Sequence, residues 1–182
     1  MKIISGKYKG RNLLGFNIDG TRPTMDRVKE SLFAMIQHYI DGADVLDLFA
    51  GSGNLGIEAL SEGADVAYLV DKNRKACKII QSNLHNLKIE SANVFCMDYL
   101  QALKQFASNK NCFDIIFIDP PYQTELVKKS IESIIQLDVL SKEGIIVAES
   151  DKLEKIVFPA CLEIVKSKKY GDKWVAILQY VW

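Results

Sequence analysis

The residues best suited to chemistry form the run Asp119-Pro120-Pro121-Tyr122, directly after the apolar stretch Phe113-Asp114-Ile115-Ile116-Phe117-Ile118. Proline lacks an N–H and has a fixed φ, so two in succession restrict the backbone and leave carbonyl oxygens with few competing donors. Such a rim can accept hydrogen bonds from an amino group. Asp119 adds a carboxylate beside the same amine. Tyr122 offers a face on which a planar base can stack, worth about 1–3 kcal/mol in single-stranded recognition. A bare tetrapeptide of this kind could also do no more than end a strand, and the neighbouring motifs decide against that reading.

The first of these is Asp47-Leu48-Phe49-Ala50-Gly51-Ser52-Gly53-Asn54-Leu55-Gly56. Its glycines allow a tight strand-to-helix turn and a close approach of ligand to backbone, which makes Phe49, Ala50, Gly51, Ser52 and Gly53 candidate cofactor contacts. Twenty residues after Gly51 stands Asp71, followed by Lys72. A carboxylate there can accept hydrogen bonds from both hydroxyls of a ribose, so two nucleoside cofactors are in play. Gly51-x-Gly53-x-x-Gly56 fits a dinucleotide fingerprint. Asp47, however, occupies the place where a pyrophosphate would sit, and a buried acid suits a cationic ligand. S-adenosylmethionine carries a sulfonium and an ammonium. In Cys96-Met97-Asp98 the acid can accept from an adenine amino group with Met97 against the ring, or it can N-cap the following helix. Asp47, Asp71 and Asp98 all fall at successive strand ends.

These residues need a scaffold, and the apolar pattern supplies one. Val45-Leu46-Asp47-Leu48-Phe49, Val66 to Val70, Asn93 to Cys96, Phe113 to Ile118 and Gly144 to Ala148 are short, nearly continuous apolar runs. Such runs are buried on both faces, as in a parallel sheet covered by helices. Ala76, Ile80, Leu84 and Leu87 mark one intervening helix, and Leu126, Val127, Ile131, Ile134 and Ile135 another. This alternation predicts an open α/β sheet, whose ligands bind at the carboxyl ends of the strands. Ahead of it, residues 2–20 read as short strands joined by glycine turns. A helix then follows Arg22-Pro23-Thr24, with Thr24 as N-cap, Asp26 in its first turn, and a stripe of Met25, Val28, Leu32, Met35, Ile36 and Tyr39. Leu162 to Lys168 and Lys173 to Tyr180 predict a terminal antiparallel hairpin on the sheet edge, turning at Tyr170-Gly171-Asp172.

The chain has 182 residues, 48% of them apolar and 25% charged, which fits one soluble globular domain. No apolar run approaches the roughly 20 residues of a membrane helix. The N-terminus lacks a signal-peptide core, so a cytoplasmic location is expected. Cys77, Cys96, Cys112 and Cys161 fit no CxxC metal or redox spacing and are expected reduced, in or near the core. No metal is called for, and His38 and His85 read as ordinary helix residues. The 23 basic and 23 acidic residues balance, yet residues 1–40 carry seven basic groups against three acidic ones. Lys166, Lys168, Lys169 and Lys173 form a second basic cluster. Basic ends on a neutral chain can meet a polyanion at one face or simply be solvated.

Asp119-Pro120-Pro121-Tyr122 beside the glycine loop resembles the Asn/Asp-Pro-Pro-Tyr/Phe motif of amino-group methyltransferases. Nearly the whole chain further resembles one family, the RsmD-type methyltransferases, which modify N2 of a guanine in 16S ribosomal RNA (the guanine-966 type). The likeness rests on Ile4-Ser5-Gly6-Lys7-Tyr8-Lys9-Gly10-Arg11, Thr21-Arg22-Pro23-Thr24, Asp26-Arg27-Val28-Lys29-Glu30-Ser31-Leu32-Phe33, Leu46 to Gly53, Gly56-Ile57-Glu58-Ala59-Leu60-Ser61 and Phe117 to Tyr122. It implies a Rossmann-like seven-stranded sheet of order 3-2-1-4-5-7-6 with the seventh strand antiparallel. Residues 1–24 would add an N-terminal hairpin extension for RNA contact within a single domain, 1–182.

The resemblance also implies S-adenosylmethionine as cofactor and a partly assembled small subunit as substrate, met by a monomer with no membrane partner. Asp119, Pro120, Pro121 and Tyr122 would hold the target base, and Asp119 together with Lys72 would also contact the cofactor. Lys7, Lys9, Arg11, Arg22 and Arg27 would grip phosphates, although Arg22 could instead face the cofactor's carboxylate. Asn54 stands where the family usually has Ala, Glu62 where Arg is common, and Asp71 where Glu is usual. Two other readings remain at this point: a DNA methyltransferase acting on adenine N6 or cytosine N4, and a non-catalytic nucleotide-binding assembly factor.

Overall fold

The structure, a computed structural model, describes residues 1–15, 23–121, 124–152 and 155–181. Seven strands form one sheet: β1 (Asp44–Asp47), β2 (Val66–Val70), β3 (Ala92–Phe95), β4 (Phe113–Ile118), β5 (Leu140–Ser150), β6 (Leu162–Tyr170) and β7 (Lys173–Tyr180). Their order is β3-β2-β1-β4-β5-β7-β6. The first five run parallel, β7 is antiparallel to β5, and β6 is antiparallel to β7. Among the described residues the α-helices are α1 (Pro23–Ile36), α2 (Asn54–Glu62), α3 (Arg74–Leu87), α4 (Tyr99–Ser108) and α5 (Thr124–Gln136).

Successive residues of a strand face opposite sides of the sheet, so an all-apolar strand needs a cover on each. Ile115 and Phe117 of β4 pack with Phe33 of α1, Ile57 of α2 and Ile80 of α3. Ile116 and Ile118 pack with Phe106 of α4 and Ile131 of α5. This layering sends every strand-to-helix turn of the parallel part to one edge of the sheet, where the candidate site lies.

Local readings shift in instructive ways. β1 ends at Asp47, two residues short of the apolar run, because the chain there turns toward α2. α1 begins at Pro23, which puts Thr24 inside the helix rather than at its cap. Proline at the first helical position already has a suitable φ and loses no intrahelical bond. Tyr39 falls beyond α1, in a single 3-10 turn of Gln37–Tyr39. The terminal hairpin forms around Gly171-Asp172, yet only β6 is at the edge; β7 is inserted between β5 and β6. Val175 to Leu178 are buried, whereas β6 is exposed along most of its length. Lys166, Lys168 and Lys169 on this open strand discourage pairing with other chains. Two of them also cross to α1, Lys166 Nζ reaching Met35 O at 3.1 Å and Lys168 Nζ reaching Ser31 Oγ at 3.1 Å. Among the cysteines only Cys77 is buried; the other three are exposed, so the core expectation holds for one of four.

Residues 1–15 fold back on themselves through a Lys2–Asn12 bridge, with Ile3 N–H donating to Arg11 O at 3.0 Å and Gly10 N–H to Ile3 O at 2.8 Å. This arm is fastened to α2 and α3. Glu58 accepts from the N–H groups of Ile4 and Ser5, at 2.9 Å each, and pairs with Lys29 Nζ at 2.6 Å. Ser61 O accepts from Lys7 N–H at 2.7 Å. Gly6 has φ +76° and lies against the Ser61 carbonyl, where a Cβ would overlap it. Asn83 on α3 accepts from Leu14 N–H at 2.7 Å and donates to Ser52 O at 2.9 Å, joining the arm to the glycine loop.

Candidate active site

β1 and β4 are neighbours, with Asp47 in register with Phe117, two residues before Asp119. The glycine loop and the Asp-Pro-Pro segment therefore leave the sheet side by side. Asp47 is 1% exposed and accepts from Gly56 N–H at 3.1 Å. That approach requires glycine, since a Cβ at 56 would overlap Leu69 Cδ2. Asp71 follows β2 and accepts from Gly51 N–H at 2.9 Å and Asn73 N–H at 2.8 Å. Each of its oxygens keeps a further acceptor position. Asp98 caps α4 by accepting from Leu100 N–H at 2.9 Å. Its capping role is thus realised, and it still stands at the strand end with one oxygen outside that bond. Met97, like Phe49 and Tyr99, is partly buried and packs against the core. Lys72 is exposed, Ala50, Ser52, Gly53 and Pro120 are buried, and Pro121 is exposed. Tyr122 and Arg22 lie outside the described residues.

Two residues that sequence reading overlooked complete the cluster. Glu149, near the end of β5, is 5% exposed, and Lys173 at the start of β7 reaches it at 2.5 Å. The same ammonium lies 3.2 Å from Asp119 Oδ1. Lys173 is thus no member of the C-terminal basic surface to which its position in the sequence assigned it. No motif surrounds Glu149 or Lys173; only the strand order brings them to Asp119.

Burial pushes the Asp47 carboxyl up to about 7, against the pull of the Gly56 N–H, with Asp119, Asp71 and Glu149 adding repulsion. Burial and then Asp119 push Glu149 up to about 7, with Lys173 opposing. Burial works to lower the Lys173 pKa, but Asp119 and Glu149 outweigh it and raise it. For Asp47 the folded chain holds a proton that the unfolded chain has released between pH 4 and pH 7. Its stabilising share is therefore complete below about 4 and is lost as pH rises through about 7. Asp47→Asn is expected to add more stability at pH 8 than at pH 5, by on the order of 2 kcal/mol, read from denaturant midpoints. Equal effects at both pH values would contradict the burial argument.

The basic residues of the arm are not brought to this rim. Lys7 is held at Ser61, near the C-terminal end of α2, and Arg11 Nη2 donates to Asn86 O at 3.3 Å near the end of α3. Ser61 lies eight residues along α2 from Gly53, about 12 Å at 1.5 Å per residue, and this separates the Lys7 region from the glycine loop. Lys7, Lys9, Arg11 and Arg27 are exposed. Lys29 is not available to phosphate; it is 3% exposed and bonded to Lys2 O, Asn54 Oδ1 and Glu58. A cavity of about 260 Å³ lies on this side, between the arm, α1 and α2, lined by Lys9, Glu30, Phe33 and Glu62 among others.

Comparison with known proteins agrees with this geometry over almost the full length. A family model described as Conserved hypothetical protein 95 matches residues 1–179. Ribosomal RNA small subunit methyltransferase D of Haemophilus influenzae is 36% identical over 173 residues, 94% of this chain and 89% of that protein. Its namesake in Escherichia coli K12 is 37% identical over 151 residues, 83% of this chain and 75% of that protein. The chain belongs to the RsmD-type rRNA methyltransferase family. The solved yhhF chain of Escherichia coli superposes with a TM-score of 0.88 at 33% identity, covering 99% of this chain and 97% of that one.

Against the usual RsmD-type pattern the three departures have local explanations. Asn54 accepts from Lys29 Nζ at 2.7 Å, a bond alanine could not make. Asp71, one methylene short of the usual Glu, still reaches Gly51 N–H. Glu62 is half-buried, and burial followed by Glu58 raises its carboxyl above the ordinary range, with Ser5 and Lys29 opposing. It thus lines the cavity together with Glu30 and Glu58 as well as Lys9 and Lys29.

Proposed function

We propose that this protein transfers a methyl group from S-adenosylmethionine to the exocyclic N2 of a guanine in 16S rRNA, on a small-subunit particle. The observation that carries the reading is the pairing of β1 with β4, which sets the Asp119-Pro120 rim beside the glycine loop. The donor set at these strand ends suits a cationic nucleoside. Asp47, Asp71, Asp119 and Glu149 converge there, and a pyrophosphate would be repelled where a sulfonium and an ammonium are attracted. The space beside Gly51 in the direction of a Cβ is open, leaving room for ligand against the backbone.

When bound, S-adenosylmethionine supplies an electrophilic methyl on a positively charged sulfur. Asp71 holds the ribose hydroxyls, and Asp98 with Met97 receives the adenine. The nitrogen to be methylated is a poor nucleophile because its lone pair is delocalised into the ring. Asp119 and the Pro120 carbonyl accept its protons, draw it toward tetrahedral geometry and concentrate that lone pair. Tyr122 stacks on the ring. The remainder is alignment in a site from which water is excluded. The base must leave its stack to enter, which favours a loop or single-stranded target. Lys7, Lys9, Arg11 and Arg27 meet phosphates at a distance from the extruded base, and Arg22 joins either them or the cofactor's carboxylate.

The test supplies labelled methyl donor with unmethylated 30S subunits, naked 16S rRNA and DNA, then maps the product. Label at a guanine N2 in the 30S particle is expected. Label confined to DNA, at adenine N6 or cytosine N4, would overturn the reading.

A further inference from the structure

Asp119 is closed upon from two other strands. Glu149 follows Ala148, which pairs in register with Ile118, so parallel β4 and β5 deliver Asp119 and Glu149 next to each other. β7 runs antiparallel to β5, and its first residue, Lys173, therefore arrives at the edge where β4 and β5 finish. The Lys173 ammonium lies 3.2 and 3.4 Å from the two oxygens of Asp119 and 2.5 Å from Oε2 of Glu149. Glu149 is 5% exposed, Asp119 37% and Lys173 42%. The three thus form a chain with its buried end at Glu149 and its open end at Asp119.

The charges around this chain come from every neighbouring strand. Asp47 closes β1, Asp71 follows β2, Asp119 follows β4, Glu149 is on β5 and Lys173 opens β7. Among the described residues, Lys173 is the cation that ion-pairs with members of this acidic group. Carboxylates this close discourage one another's ionisation unless a cation stands between them. A protonated acid donates one hydrogen bond and gives up an acceptor, which is the wrong polarity for an incoming amine. An ionised carboxylate has about four acceptor positions, enough for an ammonium and an amine together.

We propose that Lys173, tethered by the buried carboxylate of Glu149, is a positioning residue that orients Asp119 and reserves it as a hydrogen-bond acceptor for the target amine. The proposal rests on the reading of Asp119 as the group that receives that amine. It does not place Lys173 or Glu149 in contact with substrate. The raised Lys173 pKa, with Asp119 and Glu149 outweighing burial, is what an ammonium shared by two carboxylates requires.

The test compares Lys173→Met, Lys173→Arg and the double variant Lys173→Met/Glu149→Gln. In the double variant no buried charge is left unpaired, so it guards against simple misfolding. Lys173→Met is expected to lower kcat by about tenfold to a hundredfold, the scale of a misaligned reacting group, with KM for the 30S substrate unchanged. The acid limb of its kcat profile should move upward by about one pH unit. Lys173→Arg should restore the wild-type limb and most of kcat, and the double variant should keep the kcat loss while melting near the wild type. Wild-type kcat and an unmoved acid limb in Lys173→Met and the double variant would overturn the proposal, whatever happens to melting temperature. Asp119→Ala, run in parallel, separates the two claims. Full activity there removes the reading of Asp119 itself. Loss there beside an unaffected Lys173→Met refutes the positioning role alone.

Discussion

Asp119→Ala is expected to lower the single-turnover rate of methyl transfer to 30S subunits by about 10²–10³-fold, the loss usual for one preorganised electrostatic contact. Under the proposed function, the size of the effect follows from what the carboxylate would do at each stage. Before transfer the amine's lone pair is spread into the base, and accepting one of its protons shifts density back to nitrogen. During transfer the nitrogen gains positive charge, so a negative oxygen beside it stabilises the transition state more than the ground state. Afterwards the nitrogen must lose a proton, which under the proposed function the same oxygen would take. Alanine removes all three and leaves the Lys173 ammonium near the developing positive charge. Affinity for S-adenosylhomocysteine, measured by calorimetry, should change far less than the rate. Asp119→Asn keeps an acceptor oxygen but no charge and should fall between the two. Wild-type turnover in the alanine variant would remove Asp119 from the reaction.

The α/β alternation and the glycine loop were legible because each depends on local pattern, whereas the strand order followed only from the family resemblance. Apolar runs such as Phe113 to Ile118 can be satisfied only between two helical layers, and Asp47 to Gly56 needs its glycines within ten residues of chain. Glu149 and Lys173 were illegible for the opposite reason. Each sits in a segment with no motif, and their meeting with Asp119 depends on β7 entering the sheet beside β5 rather than outside β6. A lysine in a row of lysines reads as surface. Antiparallel insertion turns this one back toward the strand ends. Lys29 misleads in the same way, since charge counting adds it to the basic N-terminal region while the structure buries it against Glu58. Asp98 was legible in both its possible roles, and its bond to Leu100 N–H satisfies one without consuming the other.

The largest stability effect is expected at Glu58, far from any reacting atom. Glu58 is fully buried, accepts from Ile4 and Ser5 N–H groups, and pairs with Lys29. Glu58→Ala would strand a buried ammonium and two backbone donors, and breaking a buried pair in this way costs about 3–5 kcal/mol. That is a large fraction of the roughly 5–15 kcal/mol typical of a whole domain. Lys29 also holds Lys2 O and Asn54 Oδ1, so the loss spreads from the arm to the first residue of α2, beside the glycine loop. Two consequences can be separated by experiment. Denaturant midpoints should fall steeply for Glu58→Ala but less for Lys29→Met/Glu58→Leu, which removes both charges and fills the space. Amide exchange should rise at Ile4, Ser5 and Lys7 in the alanine variant before it rises in β1 or β4, because the arm has lost its acceptor while the sheet keeps its own bonds. If Glu58→Ala melts with the wild type and its arm amides stay protected, the pair does not fasten the arm.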